Sequence, residues 1–314
     1  MIDMWLVGVG PMAIDYAKVL KELNTPFISI GRSKEGVKVF KEATGIDAII
    51  GGLKSFLETT PSIPQYAIIA VSIENLAESC QMLLDYGVKK ILLEKPGVGY
   101  SDEIIALGKR VNETGANILL AYNRRFYASV MEAKKRIEED GGVTSFHFEF
   151  TEWSHQIRNL NKHKTELENW FLGNSTHVVD TAFYLCGKPK EISCYHSGGN
   201  DWHPNSTIFA GAGVTETAAL FSYEANWESA GRWSIDIMTK KHRFVFKPME
   251  KLQIQQIGSV AVSFIEGIDY SYDEKFKPGL YLQTQAFLEN QYENFCSLNE
   301  QVENMIVYKK MSGY

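Results

Sequence analysis

The sequence predicts an α/β protein in which a doubly wound parallel-sheet domain precedes an α+β domain with a large, mostly antiparallel sheet. In the first 121 residues, short apolar runs alternate with segments of helical period, the pattern of parallel strands joined by crossover helices. After Asn123, strand-like stretches follow one another with few helices between them, as in antiparallel sheets. The length of 314 residues favours two cores, so we expect domains over 1–121 and 122–314.

The first domain is predicted from five short apolar strands separated by amphipathic helices. A helix over 12–23 places Ala13, Ala17 and Leu20 on one side, and a helix over 74–86 stops at a glycine. Because strand–helix–strand connections are right-handed, this alternation predicts a parallel sheet covered on both faces. The strands are expected at 5–7, 27–30, 67–71, 91–93 and 118–121.

The second domain is predicted from a helix at 128–139 that ends at Gly141-Gly142, a helix at 176–186 that ends at Gly187, and a closing helix at about 280–298. Between the helices lie short β-rich stretches, which indicate a mostly antiparallel sheet with helices on one face. The strands are expected at 144–151, 191–196, 215–223, 233–239 and 242–247.

Composition narrows the function classes. A net charge of −6 argues against nucleic acid as a partner, because binding a phosphate backbone requires a basic face. No apolar run approaches membrane-spanning length and no basic leader is present, so we expect a cytoplasmic protein whose partner is a small molecule. No C-x-x-C pair occurs, which favours free thiols over a metal site or disulfides for the four cysteines, Cys80, Cys186, Cys194 and Cys296.

A glycine-rich loop follows the first predicted strand. Residues Gly8-Val9-Gly10-Pro11-Met12-Ala13 match G-x-G-x-x-A at the start of a helix. Gly8 permits the tight turn, and Gly10 lets the backbone approach a pyrophosphate at the positive end of the helix. We favour a Rossmann dinucleotide site, with Pro11, Met12 and Ala13 included, over a merely structural turn.

The end of the second predicted strand indicates which cofactor binds. NAD enzymes present Asp or Glu here to the ribose 2′-hydroxyl, whereas this chain has Gly31-Arg32-Ser33. A small residue leaves room for a 2′-phosphate, Arg32 can hold it through two hydrogen bonds and Ser33 can donate another. NADP is therefore predicted, with NAD possible, against the alternative of an exposed loop arginine. The predicted cofactor site also includes Ser72, Glu94, Lys95, Pro96 and Asn123.

Two residues are candidates for proton transfer. Lys95 follows the strand at 91–93, on the edge where such sheets bind ligands, and a cationic nicotinamide nearby would lower its proton affinity. His177 lies at a predicted helix start, after Asn174 and other capping candidates, where the helix dipole favours a neutral imidazole. The alternatives are that Lys95 is an ordinary exposed surface lysine and that His177 has a purely structural role.

Four motifs in order resemble the glucose-fructose oxidoreductase, inositol dehydrogenase and MocA family over nearly the whole chain. The motifs are the glycine loop, Glu94-Lys95-Pro96, Asn123-Arg124-Arg125-Phe126 and His177-Val178-Val179-Asp180. The resemblance implies that the lysine and the histidine serve proton transfer and substrate orientation beside the nicotinamide, between the two domains. It also implies that the lysine–proline peptide is often cis.

One position departs from the family pattern. Many of its dehydrogenases carry an aspartate four residues before the histidine, where this chain has Gly173. Lys95 is therefore expected to be the main acid/base group, with His177 positioning the substrate and Asn174 or a water assisting. Arg124, Trp153 and His155 are further substrate-binding candidates, although core or surface roles stay open for Trp153 and His155.

The sequence predicts an NADP-dependent oxidoreductase that moves a hydride to or from a hydroxyl or carbonyl carbon of a sugar, sugar-nucleotide or cyclitol. Two alternatives stay open, a non-catalytic nucleotide-sensing protein of the same fold and a reductase acting on a non-sugar carbonyl. We also expect a homo-oligomer built by packing of the second domain's sheet.

Overall fold

The computed structural model describes residues 3–98, 103–162 and 164–314. It divides into two compact units. The first unit comprises Met1–Asn123 and Glu274–Met305, and the second comprises Arg124–Asp273 and Ile306–Tyr314. Each unit has its own sheet, so the predicted fold class is confirmed.

The sheet of the first unit has seven strands. Its order is β3-β2-β1-β4-β5-β6-β15, with every pair parallel except β6 and β15. The central strands β1 and β4 are buried along their whole length, as expected for a sheet covered on both faces. The strands are β1 Met4–Val7, β2 Ile28–Gly31, β3 Ala48–Ile50, β4 Tyr66–Ile69, β5 Lys90–Leu93, β6 Asn117–Leu120 and β15 Cys296–Ser297.

Local sequence explains where the helices of this unit begin and end. Pro11 stands in the first turn of α1, Ser33 caps α2 by accepting a hydrogen bond from the Gly36 amide, and Gly87 ends α4 with φ of +104°. The helices are α1 Pro11–Glu22, α2 Lys34–Thr44, α3 Gly52–Glu58, α4 Leu76–Tyr86, α5 Glu103–Thr114 and α11 Leu280–Leu288.

The predicted boundary at residue 121 requires a correction at the C-terminal end of the chain. Residues 274–305 belong to the first unit, because α11 packs on α1 and Cys296 of β15 pairs with Leu120 of β6. The single closing helix predicted at 280–298 is also wrong. The chain forms α11, then the short strand β15, then α12 Leu298–Ser312.

The sheet of the second unit has eight strands in the order β14-β13-β12-β11-β7-β10-β9-β8. All neighbours are antiparallel except β7 and β10, which run parallel. Alternate residues of β10 are buried, so one face of the sheet carries the core. The strands are β7 Ser145–Glu149, β8 Pro189–Ser197, β9 Ile208–Thr215, β10 Leu220–Asn226, β11 Ser234–Met238, β12 His242–Phe246, β13 Gln253–Gln256 and β14 Ser263–Phe264.

One helix, α9 Thr176–Cys186, lies centrally on that face. It has the predicted bounds and is buried at every position except Tyr184. The Phe183 ring meets the rings of Phe146, Phe148 and Phe221 edge to face at 6.1, 5.6 and 5.3 Å between centroids. The other helices are α6 Ala128–Glu139, α7 Ser154–Ile157, α8 Lys164–Glu168 and α10 Ser271–Lys275.

One predicted strand of this unit, at 215–223, is wrong because it runs through a hairpin turn. The Thr215 hydroxyl accepts a hydrogen bond from the Ala219 amide, and Ala218 has φ of +66°. The turn therefore ends β9 and begins β10. Within the described part of the chain, no helix is long and apolar enough to cross a membrane.

Candidate functional site

The two glycines of the loop between β1 and α1 differ in what they allow. Gly8 has φ of +125°, and a Cβ there would lie 2.2 Å from the Ala70 carbonyl oxygen. Gly10 is the N-terminal cap of α1, and a Cβ there would meet nothing within 4 Å. The fold therefore requires glycine at position 8. At position 10 the fold itself would tolerate a side chain. The glycine there instead leaves the backbone at the helix N-terminus open to close approach by a ligand.

The segment after β2 exposes Arg32 and Ser33. The Ser33 oxygen already accepts a hydrogen bond from the Gly36 amide at 3.1 Å, which leaves its O–H to donate elsewhere. A Cβ on Gly31 would lie 2.6 Å from Val37 and 2.8 Å from Val9 side-chain carbons. Close packing against these two valines is enough to explain why residue 31 is glycine. The room for a 2′-phosphate that the sequence suggested is not needed to explain it.

The segment Glu94-Lys95-Pro96 forms a turn after β5. The Gly97 amide donates to the Glu94 carbonyl at 3.0 Å, and the Lys95–Pro96 peptide is cis, as the resemblance implied. Lys95 is partly exposed beyond the strand end. The turn thus holds Lys95 at the carboxyl edge of the parallel sheet.

The Glu94 carboxylate is buried and faces the interior of the first unit. It accepts a hydrogen bond from the Tyr16 hydroxyl of α1 at 2.9 Å. Burial raises the pKa of the Glu94 carboxyl, against the opposing effect of Lys95 and the Tyr16 hydrogen bond. These contacts are internal to the protein, so they support a role in fixing the turn rather than a direct role in cofactor binding.

Two further predicted cofactor residues also have contacts within the first unit. The Ser72 hydroxyl, exposed beyond β4, donates to the Glu74 carboxylate at 2.7 Å. Asn123 is buried and its side-chain amide donates to the Pro278 carbonyl at 2.8 Å. Asn123 therefore connects the end of the first unit's sheet to the segment after Asp273 that returns to this unit.

The surroundings of His177 differ from the predicted capped helix start. The chain is already helical before α9, with a π-helical turn at Phe171–Ser175 that includes Gly173, and no side chain caps α9. Asn174 and Ser175 instead donate hydrogen bonds to the Glu152 carboxylate, at 2.9 and 3.0 Å. The expected effect of a free helix N-terminus on His177 is therefore not supported by the local geometry.

Glu152 is the residue of this region that the sequence did not single out. Its side chain is 2% exposed, and Oε2 lies 3.3 Å from Nη1 of Arg232. Burial raises the pKa of the Glu152 carboxyl to about 7, although Arg232 and the Ser175 and Asn174 hydrogen bonds favour the ionised form. The sequence did contain a signal for Glu152. It is a carboxylate directly after a predicted strand, and it precedes Trp153, a substrate-binding candidate.

The aromatic ring of Trp233 lies under two guanidinium groups. The Cζ atoms of Arg124 and Arg232 are 4.7 and 4.5 Å from its centroid, and the His177 ring is 6.4 Å away. Arg232 also lies over Trp153, at 4.7 Å. The group is called the Trp233 cluster below and consists of Arg124, Glu152, Trp153, His177, Arg232 and Trp233.

The cluster brings together the predicted substrate residues of the second unit. Trp153 is 40% exposed, while its indole N–H donates to the Gly231 carbonyl at 2.9 Å. Asn174 reaches the cluster through Glu152. His155, on α7, is exposed and has no contact with the cluster among those described. Four residues chosen from separate stretches of sequence thus share one neighbourhood in the fold.

No group of three or more His, Cys, Asp or Glu side chains in the described ranges 3–98, 103–162 and 164–314 has the arrangement of a metal site. The four cysteines are free thiols.

No protein-family profile and no curated protein sequence matches the chain. Solved structures do match it. An oxidoreductase from Agrobacterium radiobacter in complex with NAD+, L-tartaric acid and magnesium is 13% identical and has a TM-score of 0.78, over 98% of this chain and 94% of that one. The chain has the same fold as this oxidoreductase.

Two further structures show the same similarity of fold. A levoglucosan dehydrogenase in complex with NADH and levoglucosan is 18% identical, with a TM-score of 0.79 over 99% of this chain and 96% of that one. A UDP-N-acetylglucosamine 3-dehydrogenase from Acidithiobacillus ferrooxidans is 10% identical, with a TM-score of 0.75 over 99% and 97%. The similarity extends over both units of the chain.

Proposed function

We propose that the protein is an NADP-dependent oxidoreductase that exchanges hydride with a hydroxyl or carbonyl carbon of a sugar-like or cyclitol-like substrate. The observation that carries the proposal is the open space at Gly10, at the N-terminus of the helix that follows the first strand of a doubly wound sheet. A phosphate-bearing cofactor is the ligand that this arrangement suits.

The residues of the first unit have separate tasks in cofactor binding. The backbone from Gly8 to Ala13 holds the pyrophosphate, and Arg32 with the Ser33 hydroxyl holds the 2′-phosphate that distinguishes NADP from NAD. Ser72, Pro96 and Asn123 shape the carboxyl edge of the sheet. The bound nicotinamide supplies or accepts the hydride.

Lys95 and His177 divide the proton chemistry. We assign to Lys95 the exchange of the alcohol proton at Nζ, because the turn after β5 presents it at the ligand-binding edge of the sheet. His177 positions the substrate hydroxyl, with Arg124, Trp153 and Asn174 completing the substrate site. The motifs that carry these residues resemble the glucose-fructose oxidoreductase, inositol dehydrogenase and MocA family.

The structurally similar enzymes support a polyhydroxy substrate. Their complexes contain levoglucosan or tartaric acid beside a nicotinamide cofactor, and a third acts on a sugar nucleotide. We infer the same general class of substrate here.

A turnover screen tests the proposal. Purified protein is incubated with sugars, cyclitols, sugar acids and sugar nucleotides, and reduced nicotinamide is followed by absorbance with NADP+ or NAD+. We expect turnover with at least one of these substrates, faster with NADP+ and strongly reduced in Lys95→Met. Absence of turnover in both directions over the whole panel would contradict the proposal.

A non-catalytic nucleotide-sensing role is the second candidate, and one observation favours it. Gly173 provides no carboxylate beside His177 at the position where many related dehydrogenases have one. A sensor would bind NADP(H) tightly without turning over any substrate. Tight binding by fluorescence titration, combined with a negative screen, would select this alternative.

We also propose that the chain forms a homo-oligomer through the outer face of its second sheet. Tyr195, Ile208 and Leu220 lie on that face and are exposed. Light scattering after gel filtration measures the mass, and a Leu220→Glu substitution should shift it towards that of a monomer. A wild-type mass equal to one chain would contradict this proposal.

A further inference from the structure

Two buried N–H donors of the Trp233 cluster, one on Arg124 and one on Trp233, have no acceptor among the described residues. Nε of Arg124 and Nε1 of Trp233 are buried and make no hydrogen bond with any described residue. Guanidinium and indole groups only donate, so neither atom can satisfy the other. A buried donor without an acceptor costs about 1–3 kcal/mol. Whatever satisfies these two atoms must bring acceptor oxygens.

The charge of Arg124 is also uncompensated at contact distance. Within the described ranges, the Arg124 side chain makes no ion pair or hydrogen bond, and its guanidinium rests on the rings of Trp233 and Tyr127. Burial lowers the pKa of this group, while Tyr127, Glu250 and Glu152 act on it electrostatically in the opposite direction. An arginine remains charged even so.

The nearby carboxylates do not provide the missing acceptor. Glu152 is engaged by Arg232, Asn174 and Ser175. Glu250 influences Arg124 without forming an ion pair with it. The neighbouring Arg125 illustrates the contrast, because it forms a two-point ion pair with Asp180.

Part of the Trp233 cluster is exposed to solvent. Trp153 is 40% exposed, the Arg232 side chain is 42% exposed and Arg124 is partly exposed. The aromatic rings beneath the two guanidinium groups form a flat, rigid support. A ligand that binds here therefore contacts cationic donors and aromatic rings together. The centroid of the His177 ring is 6.4 Å from that of Trp233.

We propose that the Trp233 cluster binds an anionic oxygen group, a carboxylate or a phosphate, and that the substrate is an acidic polyhydroxy compound. The part of the proposal that concerns the substrate rests on the proposed oxidoreductase function, whereas anion binding by the cluster does not. A guanidinium presents parallel N–H donors that match two oxygens of one anion, whereas a neutral hydroxyl offers a single oxygen.

Binding experiments with three probes that share one ring test the proposal. Glucose, glucuronate and glucose 6-phosphate are titrated calorimetrically into the full-length protein, with and without NADP+. We expect one of the two anions to bind about 10- to 100-fold more tightly than glucose, because a charged hydrogen bond contributes that range of affinity. Preference for glucuronate indicates a carboxylate site, and preference for glucose 6-phosphate indicates a phosphate site.

Matched variants assign the effect to Arg124. Arg124→Gln should reduce the affinity for the preferred anion to that for glucose, and Arg124→Lys should recover part of it. Arg158→Gln removes a charge from an exposed arginine of the same unit and should leave all three affinities unchanged. Circular dichroism and NADP+ titration verify that each variant is folded, and Arg124→Lys alone carries the test if the glutamine variant does not fold.

Several results would overturn the proposal. They are equal affinities for the three probes, no binding of any probe, or an anion preference that is as large in the Arg124 variants as in the wild type. Failure of the proposed function has a different signature, since anion binding dependent on Arg124 would then persist without any nicotinamide turnover.

Discussion

Arg125 and Asp180 form a buried two-point ion pair in the second unit, with Nε–Oδ2 and Nη2–Oδ1 distances of 2.9 and 2.7 Å. The pair joins the segment that precedes α6 to the helix α9. Arg124 is the neighbour of one partner, and His177 precedes the other by three residues on α9. The ion pair therefore holds the backbone of two proposed substrate residues in one arrangement.

Removing one partner of this pair should destabilise the protein strongly. Asp180→Ala leaves a buried guanidinium without its carboxylate, so we expect the free energy of unfolding in urea to fall by about 3–5 kcal/mol. Asp47→Ala, which breaks the exposed pair with Lys41, is the control and should change it by less than about 1 kcal/mol. Similar losses in the two variants would show that the buried pair has no special importance.

The two loop glycines should respond differently to alanine. Gly10→Ala meets open space, so the variant should fold normally yet bind NADP(H) much more weakly, because the methyl group would lie where we propose that the pyrophosphate binds. Gly8→Ala should lose about 2–4 kcal/mol of stability from its positive φ and its contact with Ala70. Thermal unfolding and cofactor titration separate the effects. Unchanged NADP(H) affinity in folded Gly10→Ala would remove the main support for the cofactor site.

Arg32 should determine the choice of cofactor. Arg32→Ala removes the charged contact that we propose to the 2′-phosphate, so NADP(H) affinity should fall about 10- to 100-fold while NAD(H) affinity stays constant. Lys34→Ala, two residues away and also exposed, serves as the control. Fluorescence titration of the reduced cofactors measures both. Wild-type protein that binds NAD(H) as tightly as NADP(H) would contradict the NADP assignment.

Glu152 should make stability depend on pH in the direction opposite to that of an ordinary carboxylate. Its pKa is about 7 in the folded protein against 4.5 as the ordinary value, so the folded state holds the proton more strongly between these pH values. The contribution to stability is complete below about pH 4.5 and is lost as the pH rises to about 7. It amounts to roughly 3 kcal/mol.

The difference between wild type and Glu152→Gln isolates this contribution. Urea unfolding at intervals from pH 5 to pH 8 should show wild-type stability declining relative to Glu152→Gln as the pH increases. Glu224→Gln alters an exposed carboxylate on β10 and should run parallel to the wild type. A Glu152→Gln curve that also runs parallel would show that this carboxyl titrates in its usual range.

Lys95 and His177 should have separable kinetic effects. Lys95→Met should lower turnover by about 100- to 10,000-fold with little change in cofactor affinity, and should abolish one ionisation in the pH profile. His177→Ala should raise the Michaelis constant more than it lowers turnover. Lys89→Met is the control, since Lys89 is exposed and its Nζ donates a hydrogen bond to the Thr114 carbonyl. Near wild-type turnover of Lys95→Met would exclude it as the acid/base group.

The sequence by itself determined the features that depend on local interactions. The spacing of apolar residues, with glycines at helix ends, predicted the parallel sheet. The helix α9 has the bounds that its apolar spacing and Gly187 indicated. The glycine loop was found because its turn, its cap and the helix that follows are contiguous in the chain.

The tertiary structure alone decided the features that join distant segments. Asn174 meets Glu152 across 22 positions and Arg125 meets Asp180 across 55, and neither pairing has a periodic signal in the sequence. The pairing of β15 with β6 likewise could not be predicted, because a strand of two residues has no detectable pattern in the sequence. Side-chain hydrogen bonds and ion pairs depend on which segments the completed fold places together, whereas helices and turns depend on residues a few positions apart.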